Sequence, residues 1–205
     1  MIWLLIALVS YLLGSLPSGY LVARSQDVDI RQQGSKNIGA TNVLRVMGKK
    51  WGYLVFFCDS FKGFLSVKLG ILIAAHSQLS PVLGGVIAAI SCILGHNYTF
   101  WLGFKGGKGI ATSGGVVLAL FPVLVIICVA LVWVVLFYLA KYVSLASIAA
   151  AVALPFAVFL IVAKTGVDFW TLFAFSVLIA AMAIWRHQSN IVRLMNGTES
   201  RFGKK

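Results

Sequence analysis

Two short segments hold the residues best suited to chemistry: GSKNIGATNVLR, from Gly34 to Arg45, and GFKGGKGIAT, from Gly103 to Thr112. Both are rich in glycine, small polar residues and cations. Glycine removes side chains from the backbone, so FKGGKG is expected to expose consecutive N–H groups, including those of Gly106 and Gly107, beside Lys105 and Lys108. The segment then opens a helix at Ile110, and backbone donors at a helix start bind phosphate well. It is not a Walker A loop, because position 102 is Leu where Gly is needed and Gly109 replaces the Ser or Thr. The first segment adds Ser35, Asn37, Thr41 and Asn42, and Arg45 supplies a planar fork for a phosphate. Read alone, each segment is equally an ordinary loop or a basic turn touching lipid headgroups.

A third stretch, RHQSNIVRLMNGTE, runs from Arg186 to Glu199. Its His187, Asn190, Ile191 and Leu194 fall at i, i+3, i+4 and i+7, one face of a helix. Arg193 and Glu199 follow. The same pattern suits an amphipathic tail lying on a membrane. A fourth feature is Asp59 with Lys62, spaced to pair within one helix turn inside an apolar run. Ionisable groups in such a run are costly and are functional candidates. Anchoring the neighbouring loops and direct catalysis both fit.

The elements that must position these residues are membrane helices. The chain has 205 residues, is 60% hydrophobic and only 11% charged, and its mean hydropathy is +0.98. A soluble domain carries about a quarter charged residues. Apolar runs near the length of a bilayer span recur along it, which predicts an all-α polytopic membrane protein. Lys and Arg number 17 against 5 Asp and Glu, a formal charge of +12. In a soluble chain that excess points to nucleic acid; here it points to positive-inside loops and an anionic substrate, with no nucleic acid. Cys58, Cys92 and Cys128 lie in apolar runs without metal-ligand spacing, so they read as packing residues, with no metal and no cofactor.

Span one, Ile2 to Ala23, should kink at Pro17. It lacks a basic n-region and a small-x-small cleavage site, so it reads as a retained anchor. Span two covers about Trp51 to Ala75 and span three about Leu79 to Ile93. Ile110 to Ala140 is interrupted by Phe121–Pro122. Charge decides how it divides. With the Arg24–Lys50 loop in the cytoplasm, a single span there would put Arg186, Arg193, Arg201, Lys204 and Lys205 outside. Two spans keep Lys141 and the tail inside and leave only Lys164 outside. The first would be short: about a dozen residues rise about 18 Å, less than the hydrocarbon core. The final span is about Phe169 to Trp185. The prediction is seven transmembrane helices, one short or re-entrant, N-terminus out and C-terminus in. Four polar segments then share the cytoplasmic face: Gly34–Arg45, Gly103–Thr112, Lys141–Ser147 and Arg186–Glu199. The sequons at Asn97–Thr99 and Asn196–Thr198 also fall inside and are set aside. Without a repeat or a linker, residues 1–205 read as a single membrane-embedded domain. Together the segments suit the binding of more than one phosphate by Arg45, Lys108 and Arg193, with Lys36 a further cation.

These segments resemble the bacterial acyl-phosphate:glycerol-3-phosphate acyltransferase family over nearly the whole chain. The resemblance rests on GSLPSGY, GSKNIGATNVLR, DSFKG, GHNYTFWLGFKGGKGIAT, YVSLASI and RHQSNIVRLMNGTE, in that order. It departs at Val143–Ser144, where members often have two serines, so only Ser144 is carried over. The resemblance implies transfer of a fatty acyl group from acyl phosphate to the sn-1 hydroxyl of glycerol 3-phosphate. The products are lysophosphatidic acid and inorganic phosphate. It also implies a bacterial cytoplasmic (inner) membrane enzyme with its site facing the cytosol, requiring no cofactor. Its partners would be glycerol 3-phosphate, a long-chain acyl phosphate and membrane lipid.

On that reading Gly106, Gly107, Thr41 and Ser144 cradle the acyl-phosphate phosphate. Ser35, Arg45, Lys108 and Asn190 hold glycerol 3-phosphate, with Arg193 a further cation. His187 is a candidate base or orienting group, the rival acceptor being the bound phosphate of glycerol 3-phosphate. Asn37 and Asn42 are expected to shape the first loop, and His96 to make a structural hydrogen bond. No H-x-x-x-x-D or G-x-S-x-G sequence occurs, so direct attack without an acyl-enzyme is expected. The competing class is a transporter or channel for an anionic metabolite, suggested by Asp59 and Lys62. A lipid-binding scaffold is a third reading. Only the enzyme makes a new ester.

Overall fold

A membrane helix gains little from apolar side chains that lipid solvates equally well, so close backbone approach through small residues governs how helices meet. That rule organises the computed structural model, which describes residues 1–162 and 167–203. Among these residues the secondary structure is helical: α1 (Ile2–Ser15), α2 (Ser18–Arg24), α3 (Ala40–Met47), α4 (Lys49–His76), α5 (Pro81–Asn97), α6 (Ile110–Leu120), α7 (Val123–Ala140), α8 (Val143–Ile161), α9 (Val167–Arg186) and α10 (Gln188–Met195). Among the described residues five segments are long and apolar enough to cross a membrane: Ile2–Arg24, Pro81–Leu102, Val123–Ala140, Val143–Ile161 and Asp168–Arg186. α4 is as long but carries Asp59, Lys62 and Lys68, and α6 is shorter. The expected outside residue Lys164 and the tail residues Lys204 and Lys205 lie outside the described residues.

The chain forms two compact units, Met1–Leu120 and Phe121–Lys205. In the first, α4 packs against α1, α5 and α6, and α1 packs along α5. Glycines mark the crossings. A Cβ on Gly14 would overlap the carbonyl of Cys92, and one on Gly95 the carbonyl of Tyr11, so α1 and α5 touch backbone to backbone. Gly115 meets Ser60 and Gly63 meets Thr112 in the same way across α4 and α6. Gly70 and Gly84 face each other across α4 and α5, where either Cβ would lie 2.6 Å from the other's carbonyl oxygen.

The break at Pro17 is present: α1 ends at Ser15 and α2 begins at Ser18. Such a break orphans carbonyls that lipid cannot satisfy. Neighbouring helices supply the donors. Thr99 Oγ1 donates to Ser15 O at 2.5 Å and Lys62 Nζ to Leu16 O at 2.8 Å. The interruption at Phe121–Pro122 also separates two helices, as expected. Lys68 Nζ donates to Ala119 O at 3.2 Å, so a cation from α4 caps the C-terminal end of short α6, where the helix dipole favours positive charge.

α5 continues past Ile93 to Asn97, which brings His96 and Asn97 into the helix. Its start is fixed by Pro81 in the first turn and by Ser80 Oγ, which accepts from Leu83 N at 3.3 Å. Asn97 is 1% exposed and hence unable to carry a glycan. In the second unit α8 packs between α7 and α9, and α10 follows α9. Phe202 N donates to Lys141 O at 2.8 Å, folding the tail back onto the start of α8.

Candidate active site

Asn42 builds the first loop. Its side chain is buried, and its amide donates to Gln33 O at 3.0 Å and Asn37 O at 2.9 Å, with a longer contact to Ile30 O at 3.4 Å. Its oxygen accepts from Ser35 N at 2.8 Å. Asn37 in turn accepts from Gly39 N at 2.9 Å, ahead of α3. Both asparagines therefore shape the loop, as expected. Gly34 carries φ of +58°, and a Cβ there would overlap Asn42 Oδ1, so the turn requires glycine. This scaffold leaves Ser35, Lys36, Thr41 and Arg45 exposed. Thr41 and Arg45 are four apart on α3 and share a face.

Two cations of this loop are paired with an acidic side chain within it. Arg31 Nε and Nη2 hold Asp29 at 3.0 and 2.8 Å, and Arg24 Nη2 lies 3.3 Å from it. The Arg31 hydrogen bonds pull the Asp29 carboxyl down to about 2. Arg31 also lies over the Tyr20 ring at 4.6 Å. These residues brace the loop.

The glycine loop departs from expectation in one respect. Gly106 N donates to Asn97 O at 3.1 Å and Gly107 N to His96 O at 3.0 Å. These two N–H groups are thus directed at the orphan carbonyls ending α5, not displayed for a ligand. Phe104 N is likewise taken by Thr99 O at 2.8 Å. The correction has a physical cause: a helix ending beside the loop offers acceptors that must be satisfied. The side-chain positions of Gly106 and Gly107 are taken up by the end of α5, and the N-terminal turn of α6 follows the loop. Lys108 is half-buried between Gly107 and Gly109.

Beneath the loop sits the buried pair. Lys62 Nζ lies 2.9 Å from Asp59 Oδ1, and His96 Nδ1 lies 3.6 Å from the same oxygen. Lys62 also donates to Leu16 O, so the pair ties α4 to the kink of span one and to the end of α5. α4 and α5 run antiparallel, with Asp59 facing His96 and Gly70 facing Gly84. Leu102, just before the glycine loop, packs on the cluster of Ile38, Val43 and Val55, so both predicted segments lie close together in this unit.

In the second unit the predicted residues converge on a carboxylate. Glu199 Oε1 accepts from Ser144 Oγ at 2.7 Å and from Asn190 Nδ2 at 2.6 Å; Oε2 accepts from Arg193 Nε at 2.7 Å. Burial works to raise the Glu199 pKa, but the three donors and the Arg193 charge outweigh it and hold the carboxyl below the usual glutamate range. The organising role of Glu199 was not legible beforehand; only its position after Arg193 was. The helical face predicted for α10 is present, with His187 and Asn190 buried, Ile191 and Leu194 half-buried, and Val192 and Met195 exposed. His187 Nδ1 lies 2.8 Å from Ala183 O. A carbonyl only accepts, so Nδ1 is the donor in this contact. An open hollow of about 430 Å³ beside Glu199 is lined by Tyr142, Gly197, Ser200 and Arg201.

Residues 4–197 match the family model for glycerol-3-phosphate acyltransferase. The chain belongs to this family. The glycerol-3-phosphate acyltransferase of Clostridioides difficile is 40% identical over 204 residues, covering 99% of this chain and 97% of that protein. That of Geotalea daltonii is 46% identical, covering 94% of each. Among solved structures, the chain is similar to PlsY, an integral membrane glycerol 3-phosphate acyltransferase. The glycerol 3-phosphate form of PlsY gives a TM-score of 0.85 at 42% identity, covering 98% of this chain and 96% of that one. The lysophosphatidic acid form gives 0.85 at 40% identity. Like these relatives, the chain is an integral membrane protein. Family membership gives the polar segments their frame: Ser35, Thr41, Arg45, Gly106, Gly107 and Lys108 lie in the first unit, and Ser144, His187, Asn190 and Arg193 in the second.

Proposed function

We propose that the protein acylates the sn-1 hydroxyl of glycerol 3-phosphate, with acyl phosphate as donor, giving lysophosphatidic acid and phosphate. The observation that carries this reading is the full-length likeness to PlsY, known in a glycerol 3-phosphate form and a lysophosphatidic acid form, the two sides of one O-acylation. The reading treats residues 1–205 as one acyltransferase domain. It has seven membrane helices, N-terminus out and C-terminus in, in the inner membrane of a bacterium, with the polar segments facing the cytosol.

Each buried CH₂ contributes about 0.8 kcal/mol, so a long acyl chain stays in the bilayer and its phosphate is met at the surface. Acyl phosphate is a mixed anhydride with a good leaving group. The protein's task is to hold two mutually repelling anions in line and to stabilise developing charge. Arg45, Lys108 and Arg193 supply cations for that, Ser35 and Asn190 hold glycerol 3-phosphate, and Thr41 and Ser144 receive the acyl-phosphate phosphate beside the loop that carries Gly106 and Gly107. The sn-1 oxygen attacks the acyl carbon, the bond from that carbon to the phosphate oxygen breaks, and phosphate leaves with the electron pair. His187 Nε2 takes the hydroxyl proton. No acyl-enzyme forms.

The test uses purified protein in lipid with radiolabelled glycerol 3-phosphate and either palmitoyl phosphate or palmitoyl-CoA. Ester made only from the acyl phosphate, and lost in Lys108→Ala, is the expected result. Ester from palmitoyl-CoA alone would overturn the donor assignment. A near-normal rate in His187→Ala would move the proton to the phosphate of glycerol 3-phosphate.

A further inference from the structure

We propose that His96 is a positioning residue for acyl transfer: its ring, oriented by Asp59, is the floor on which Gly107 rests and sets the height of the glycine loop. The inference rests on the proposed phosphate-binding role of that loop. The ring is 5% exposed, with Nδ1 facing Asp59 Oδ1 at 3.6 Å. Asp59 is itself fixed by Lys62 at 2.9 Å, and Lys62 by Leu16 O at 2.8 Å. The other edge of the ring lies directly under Gly107. A Cβ there would overlap His96 Nε2 and sit 2.8 Å from Cε1 and 3.0 Å from Cδ2. Gly107 does not lie in the left-handed region, so its backbone would accept alanine. The ring, and not the backbone dihedral, requires glycine at this position.

Gly106 provides the internal contrast. A Cβ there would overlap the main-chain oxygen of His96 and approach Asn97 C and O at 2.8 Å. That obstacle is backbone, which no side-chain truncation removes. The two adjacent glycines are therefore required for different reasons, and only one of them answers to the His96 side chain.

The experiment compares wild type, Gly107→Ala, Gly106→Ala and each paired with His96→Ala, reading KM for palmitoyl phosphate, kcat and thermal unfolding. Displacement of the loop by the new methyl should lower kcat/KM roughly 100-fold in Gly107→Ala, the scale of an ångström-level misplacement. The rise should fall mainly on KM for the acyl phosphate. Adding His96→Ala should restore Gly107→Ala by about tenfold or more and leave Gly106→Ala unrescued. His96→Asn, which keeps an amide near Asp59 but shortens the ring edge, should also rescue Gly107→Ala. A folded Gly107→Ala/His96→Ala protein no better than Gly107→Ala would overturn the inference, as would equal rescue of both glycine variants. If wild type makes no ester from acyl phosphate, the donor reading fails. The paired unfolding temperatures still decide whether ring and methyl compete for the same space.

Discussion

Ser144 and Glu199 stand 55 residues apart in sequence and 2.7 Å apart in space, with the serine hydroxyl donating to the carboxylate. Asn190 and Arg193 donate to the same carboxylate. One acidic side chain thus aligns three residues on which the proposed chemistry depends, and ties the segment after α10 to the first turn of α8.

That arrangement has a pH signature. The donors hold Glu199 below its ordinary range, so its contribution to stability is fully present above that range and is lost as pH falls through the lowered folded value. Thermal unfolding in detergent should show this loss below about pH 4.3, the ordinary glutamate value. Glu199→Gln should remove that part of the acid dependence and raise KM values at neutral pH. An unchanged acid limb in the variant would place the titration elsewhere.

The buried pair makes a second prediction. Removing Lys62 takes away the nearer cation and leaves the buried Asp59 carboxylate with His96 at 3.6 Å, a loss of roughly 3–5 kcal/mol by the scale of broken buried pairs. Lys62→Met should therefore destabilise strongly, because it strips donors from both Asp59 and Leu16 O. Asp59→Asn/Lys62→Met should be less harmful than Lys62→Met alone. Denaturant titration in mixed micelles measures both, and a double variant worse than the single would refute the pairing argument.

Asn42 should matter as a scaffold and not as a substrate ligand. Asn42→Ala removes the partners of Ser35 N, Gln33 O and Asn37 O, at about 1 kcal/mol for each hydrogen bond. A fall in unfolding temperature together with a higher KM for glycerol 3-phosphate is expected. A normal melting temperature would show that the loop holds without it.

Arg45 is exposed on α3, so its replacement should leave the fold intact. If its guanidinium grips a phosphate with two parallel bonds, Arg45→Lys is not conservative, and KM for glycerol 3-phosphate should rise about tenfold or more. Full activity in the lysine variant would assign Arg45 to the general positive field alone.

Much of this was legible in one dimension because the constraint behind it is local. A membrane span must satisfy its own backbone, so apolar length marks the helices, and Pro17 and Phe121–Pro122 mark the breaks. The spacing of Asp59 and Lys62 fixed their pairing. The spacing of His187, Asn190, Ile191 and Leu194 fixed a common face of α10. Glycine content likewise flagged the loop at residues 103–109 as special. It left open what the loop's N–H groups bind, because that depends on where α5 ends.

The sequence by itself determined which segments are apolar and helical, where they break and which residue types could meet phosphate. Only the tertiary structure decided which polar groups are spent on the protein. Gly106 and Gly107 donate to the end of α5, Lys62 and Lys68 to carbonyls freed by helix ends, and Asn190 and Arg193 to Glu199. The reason is physical. A helix end in an apolar surround leaves acceptors that must find donors, and the donor within reach is set by helix packing, which brings together residues far apart in the chain.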